Sequence, residues 1–215
     1  MTQSKSGMSE PPLEEILQPR TACLIVHDMQ NDFIHEKGKY GKTGQAVDVS
    51  NAIDNIVGLL EVARTAGITL LYTVFTAAPE WKTFSAPMLQ GVVKGDSAEA
   101  PPTLDGTWGW KVIDRLTPKP EDFLMRKYRV DAFEGTPLDL FLSCNRIKTI
   151  VHTGIAIERG IAPTAQRAFN LGYFPVVPVD CVSPRKKEYR ESGLKYLEQW
   201  ARMTTSSEIR DVWLK

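Results

Sequence analysis

Two charged residues close apolar runs of this chain: Asp28 follows "TACLIVH" and Lys127 ends "DFLMRK". A carboxylate and an ammonium at such places are a proton acceptor and a proton donor. Buried side by side they keep each other ionised, and loss of either leaves an unpaired buried charge. Each also has an ordinary reading on residue type alone. An Asp at the end of a strand commonly caps the next turn through backbone amides, a duty Asp32 can also serve, and a lysine is most often a solvated charge. A third position lies in "VHTGIAIERG", which reads as a strand, a sharp turn and a helix N-terminus, a common place for a reactive side chain. Residue Gly160 there brings no nucleophile, and its ordinary reading is close packing at a helix start. The helix start itself favours a negatively charged group, and Pro163 is tolerated in its first turn.

These positions meet only if the elements carrying them belong to one sheet. "TACLIVHD" from Thr21 is a continuous apolar run, the pattern of a central parallel strand covered on both faces. Ile53, Ile56, Val57, Leu60 and Ala63 recur at helical spacing, with Gly67 as the stop signal. "ITLLYTVF", "DFLMRK", "IKTIVHT" and "YFPVVPVD" read as further strands. "TPLDLFLSC", "ERGIAPTAQRAFNLG" and "YRESGLKYLEQWA" read as helices, with a last strand or short helix toward Trp213. The alternation predicts an α/β fold: a three-layer, doubly wound, mostly parallel sheet with helices on both faces. Ligands bind beyond the carboxyl ends of such strands, where Asp28, Lys127 and the turn from Gly154 to Gly160 would converge.

The 215 residues predict one domain over 20–215, preceded by a loose arm over 1–19 and interrupted by a long loop at about 77–109. Loops of that length usually serve as lids or binding walls, and Trp81, Trp108 and Trp110 with Phe33 and Phe84 are candidates to wall a pocket beside it. The 26 basic and 26 acidic residues cancel, which argues against nucleic-acid or acidic-membrane partners and for a small-molecule substrate. The longest apolar run falls short of the roughly 20 residues a bilayer requires, and the polar, proline-containing start lacks a signal sequence, so a cytoplasmic protein is expected. Cys23, Cys144 and Cys181 show no paired spacing, against a disulfide framework or a zinc site; Cys23 and Cys144 read as buried inert thiols and Cys181 as structural. His27, His35 and His152 lack partners at metal-ligand spacing and read as structural.

Taken together, "LIVHDMQNDF", "RKYRVDAFEGTPLDLFL" and "VHTGIAIERGIAPTAQRAFNLGYFPVVPVD" resemble the isochorismatase-like (cysteine) hydrolase superfamily over about residues 20–205. The resemblance implies catalytic roles for Asp28 and Lys127, with Phe133, Gly135 and Thr136 also matching. It implies a cis peptide between Ile155 and Ala156 with backbone N–H groups offered to an oxyanion. Most members carry cysteine where this chain has Gly160, so a thioester route is not expected. Phe33, Trp81, Ala156, Gly160 and Arg129 are the substrate-binding candidates, Arg129 as a partner for a substrate carboxylate. No metal and no cofactor are implied, since the D-x-H element of metal-binding relatives is absent. A homo-oligomer, dimer or tetramer, is expected. The leading expectation is hydrolysis of a small anionic substrate by Asp/Lys acid–base chemistry, of vinyl-ether (isochorismate) type, through Asp28 as general acid. The alternatives are hydrolysis of a small amide or ureido compound by activated water, and a noncatalytic binder of small molecules.

Overall fold

The computed structural model describes residues 10–93 and 100–215. Seven strands form one sheet: β1 (Ala22–His27), β2 (Thr69–Phe75), β3 (Phe123–Lys127), β4 (Thr149–Ile155), β5 (Phe174–Pro178), β6 (Val182–Ser183) and β7 (Arg202–Thr204). Their spatial order is β3-β2-β1-β4-β5-β7, with β6 beside β4, and every pairing between them is parallel. The order reverses direction at β1 and β4, the two central strands, so their carboxyl ends open a crevice between diverging connections.

The helices are α1 (Leu13–Ile16), α2 (Asn31–Ile34), α3 (Lys39–Lys42), α4 (Ile53–Thr65), α5 (Ala86–Val93), α6 (Leu138–Cys144), α7 (Ala162–Asn170), α8 (Arg190–Leu197) and α9 (Ser206–Trp213). Side-chain alternation along the strands divides the core. Leu24 and Val26 of β1, Leu70, Tyr72 and Val74 of β2, and Val151 of β4 pack with α4 and α9. Cys23, Ile25, Leu71 and Ile150 point the other way, against Leu138 and Leu142 of α6 and Ala168 of α7. This is the three-layer sheet expected from the continuous apolar runs.

Three local expectations change. Within the stretch 1–19, residues 1–9 lie outside the described residues, but the rest is not a loose arm. Ile16 and Leu17 are buried in the core, the Ile16 carbonyl accepts from Thr149 Oγ1 and the Leu17 carbonyl from Trp213 Nε1. The excursion at 77–109 holds structure of its own: α5, and a bridge between Ala77 and Leu104. Cys144 is exposed at the end of α6, whereas Cys23 and Cys181 are buried, their thiols pushed up by burial. Among the described residues no helix is long and apolar enough to cross a membrane.

Candidate active site

The first strand delivers Asp28 one residue past its end, in a left-handed turn (φ 51°) that leads into α2. The third strand delivers Lys127 as its last residue, and β2 lies between the two in the sheet. Lys127 Nζ donates to Asp28 Oδ2 at 2.8 Å and to the Val130 carbonyl at 3.0 Å, and Thr73 Oγ1 donates to Asp28 Oδ1 at 3.0 Å. Lys127 is fully buried and Asp28 is 7% exposed. Burial pushes the Asp28 carboxyl above the ordinary carboxylate range; the Lys127 ammonium and the Thr73 hydroxyl pull it back without cancelling that rise.

The fourth strand ends in a cis peptide between Ile155 and Ala156, followed by a wide turn (Ile157–Ile161) that runs into α7. The amides of Arg159, Gly160 and Ile161 all donate to the Ala156 carbonyl, at 3.1, 2.9 and 3.1 Å. These three N–H groups are therefore spent inside the turn, and the expected backbone oxyanion site is not offered by them; the ammonium of Lys127 is the nearby cationic donor. Thr164 fixes the turn, donating to the Gly160 carbonyl at 2.6 Å and accepting from the Ala132 amide at 3.0 Å, which ties it to the loop that follows Lys127. A Cβ on Gly160 would lie 3.0 Å from the Ile155 carbonyl oxygen, 3.3 Å from Asp28 Oδ2 and 3.5 Å from Lys127 Nζ. The absent side chain thus leaves both charged groups facing the cavity.

That cavity, about 350 Å³, is lined by Asp28, Lys127, Ala156 and Gly160 at its base and by Phe33, Tyr40, Phe75, Phe84 and Met88 along apolar walls. Arg159 and Arg185 add two guanidinium groups. Arg185 lies over the Tyr40 ring, 5.0 Å from its centroid, and donates to Gln45 Oε1, while its own amide is held by the Glu158 carboxylate. Of the substrate-binding candidates, Phe33, Ala156 and Gly160 line this space, and Phe84 joins them. Trp81 does not; it packs edge-on against Phe84 from outside. Arg129 does not either, because its guanidinium donates to the Thr83 and Tyr128 carbonyls and lines a separate surface depression. Trp108 is largely exposed, and Trp110 donates to Thr76 and lies beneath Arg126. Nothing in the sequence analysis points to Arg159, Arg185, Tyr40 or Phe75.

The residues after Asp28 act as a clamp on the long excursion. The Gln30 side chain bonds both backbone polar groups of Phe75 and the Trp110 carbonyl, and Asn31 donates to the Trp108 carbonyl. Asp32 takes up the capping duty at a distance: its two oxygens accept the Lys39 amide, the first of α3, and the Thr103 amide, at 3.0 and 2.7 Å. Among the described residues no three His, Cys, Asp or Glu side chains gather as metal ligands would.

Comparison with known proteins decides the family, since the isochorismatase domain matches residues 22–208 of the chain. The protein belongs to the isochorismatase family. Ureidoacrylate amidohydrolase RutB of Caulobacter vibrioides is 32% identical over 185 residues, covering 76% of this chain and 77% of the relative. The RutB of Agrobacterium fabrum is 30% identical over 194 residues, with 84% and 83% covered. A cysteine hydrolase from Pseudomonas syringae pv. phaseolicola shares the fold at a TM-score of 0.83 and 19% identity, over 96% of this chain and 99% of that one. This isochorismatase-family protein is accordingly a hydrolase, built on the mostly parallel sheet its neighbours share.

Proposed function

We propose that this hydrolase cleaves a small amide or ureido compound bearing an anionic group, and that it does so with water as the nucleophile. The observation that carries the reading is the place of Asp28 Oδ2 and Lys127 Nζ against the cavity beside Gly160, within 3.3 and 3.5 Å of where a side chain would begin. Gly160 stands for the residue that in most superfamily members is the cysteine nucleophile, so no acyl-enzyme forms. Water on the cavity side of the pair loses a proton to Asp28 as its oxygen adds to the substrate carbonyl carbon. Lys127 faces the oxyanion that develops. The tetrahedral adduct then collapses: the proton passes from Asp28 to the leaving nitrogen, the C–N bond breaks, and a carboxylate or carbamate leaves with an amine or ammonia. Apolar walls keep the charges poorly solvated and therefore strong, and Arg159 and Arg185 receive the anionic end of the substrate in place of Arg129. The amidohydrolase relatives move the weight from the vinyl-ether chemistry expected first toward this reaction.

One observation keeps the ether reading as a second. A carboxyl raised by burial suits a general acid, and Asp28 could protonate an enol carbon before water captures the resulting oxocarbenium ion. A panel of ureido acids and small amides, scored for ammonia, set beside isochorismate scored for pyruvate, separates the two. Ammonia release that disappears in Asp28→Asn is the expected result. Pyruvate without ammonia would reverse the order, and neither product at high enzyme would discard both.

A further inference from the structure

Two histidines that the reaction above does not use are buried directly behind Asp28. His27 and His152 stack with ring centroids 5.3 Å apart, and His27 Nε2 lies 3.0 Å from His152 Nδ1. His27 Nδ1 lies 3.3 Å from Thr73 Oγ1, the same hydroxyl that reaches Asp28 Oδ1. Strand register creates the line: His27 pairs with Thr73 across β1 and β2, Ile25 pairs with His152 across β1 and β4, and alternation puts all three side chains on one face. Both rings are fully buried, and burial holds both neutral, His152 pushed down to about 3.

With Asp28 ionised, every proton on this line is assigned by elimination. A carboxylate only accepts, so the single Thr73 proton points at Oδ1. Thr73 oxygen must then accept from His27, which places the His27 proton on Nδ1 and leaves Nε2 bare. Bare Nε2 must accept from His152 Nδ1–H, and His152 Nε2 ends the line as a lone pair with no partner among the described residues. Placing a proton on Oδ1 toward Thr73 would reverse every link and end in a buried His152 Nε2–H with no acceptor, the costlier arrangement for a donor deprived of water. Oδ2, by contrast, keeps one lone pair for Lys127 and one for the cavity.

We infer that Thr73, His27 and His152 form a positioning relay that reserves Asp28 Oδ2, the oxygen facing Gly160, for the proton exchanged with the substrate. Its consequence for turnover rests on the proposed role of Asp28; the tautomers do not. Imidazole ¹⁵N resonances of the full-length protein at neutral pH, with His35 identified through His35→Gln, test the relay directly. Both His27 and His152 are expected as Nδ1–H with a bare Nε2. Thr73→Val is expected to release His27 from that single tautomer, and Thr73→Ser to restore it. On any substrate turned over in the panel above, Thr73→Val should lower kcat by on the order of tenfold with little change in KM and move the acidic limb of the pH profile. A merely structural threonine would not move that limb. An Nε2–H on either ring of the wild type overturns the relay, as does a Thr73→Val protein whose His27 resonances and pH profile are unchanged. If Thr73→Val fails to fold, the wild-type spectrum still decides. If no substrate is cleaved, the reaction assignment fails while the tautomers continue to judge the relay.

Discussion

Replacing Lys127 by methionine keeps most of the side-chain volume and removes the charge, which isolates the ion pair as the variable. Asp28 would then be a buried carboxylate with no cation, and its least costly response is to take up a proton. The expense of doing so is set by how far the solution pH lies above the unfolded carboxyl value of 3.8. At about 1.36 kcal/mol per unit, protonating it costs roughly 4 kcal/mol at pH 7 and a little under 2 kcal/mol at pH 5. The first figure agrees with the roughly 3–5 kcal/mol found when one partner of a buried pair is removed. The sign follows from the direction of the shift. A carboxyl raised in the folded state binds more protons folded than unfolded, so stability is full below the unfolded value and is lost as pH rises through the folded one. Lys127→Met raises the folded value further and widens that window. The expected outcome is a drop in Tm on the order of 10 °C at neutral pH, shrinking by about half at pH 5. Thermal melts at both pH values measure it, with urea melts giving the free energies, and Asp28→Asn combined with Lys127→Met should regain most of the loss. A single mutant that loses under about 1 kcal/mol, or loses the same amount at both pH values, would refute the buried-pair argument.

Gly160→Cys should fold, because its Cβ needs neighbours to give by only a few tenths of an ångström, and should set a thiol against Asp28 and Lys127. Iodoacetamide followed by peptide mapping is expected to label position 160 well ahead of buried Cys23 and Cys181; an inert thiol there would contradict the placement of the turn. Arg159→Gln and Arg185→Gln should each raise KM for an anionic substrate by about ten- to a hundredfold, with kcat less affected, in line with charge-assisted hydrogen bonds of roughly 1.5–3 kcal/mol. Equal KM values on charged and neutral substrates would remove them from recognition. Asp32→Ala frees the Lys39 and Thr103 amides and should cost about 2–4 kcal/mol by denaturant melts while speeding proteolysis between residues 77 and 109. Unchanged cleavage in that segment would show that the clamp lies elsewhere.

The meeting place of Asp28, Lys127 and the Gly160 turn was legible because it depends on strand ends, and strand ends follow from apolar runs; the roles of these residues came only from the family resemblance. Asp28, Lys127 and the turn before Gly160 each close a parallel strand, and the sheet order brings such ends together whatever separates them in the chain. Residues off the strands left no comparable signal. Arg185 follows β6, only two residues long and without visible periodicity, and Tyr40 belongs to a single turn of helix. Trp81 and Arg129 are candidates by side-chain type, which does not say which way a loop residue points; the first packs against Phe84, and the second satisfies two loop carbonyls. The expected arm differs over residues 10–19 for a related reason. Leu13, Ile16 and Leu17 make up barely one turn of helical spacing, too short to stand out as an element, yet they suffice to dock a short helix when core residues receive them. His27 and His152 read as structural on residue type, although the period-2 rule places both, with Thr73, on the face that leads to Asp28.

The ion pair itself supports the proposed reaction at this site. Taking Asp28 and Lys127 out of water costs several kcal/mol per ion, and well-packed apolar residues of similar volume commonly serve stability as well or better. Packing alone therefore gives no reason for a lysine that is fully buried between β2 and the Val130 loop. A pocket kept only for binding would gain from an apolar pair at its base, because the anionic end of a ligand is met by arginines at other positions. The pair has value where a proton must be accepted and returned next to a cation, in a cavity dry enough for that charge to matter. The proposed reaction, with Gly160 supplying no nucleophile, drops the covalent step and keeps this requirement, since water adding to a carbonyl, or a proton reaching an enol carbon, needs the same carboxyl oxygen presented at the same spot.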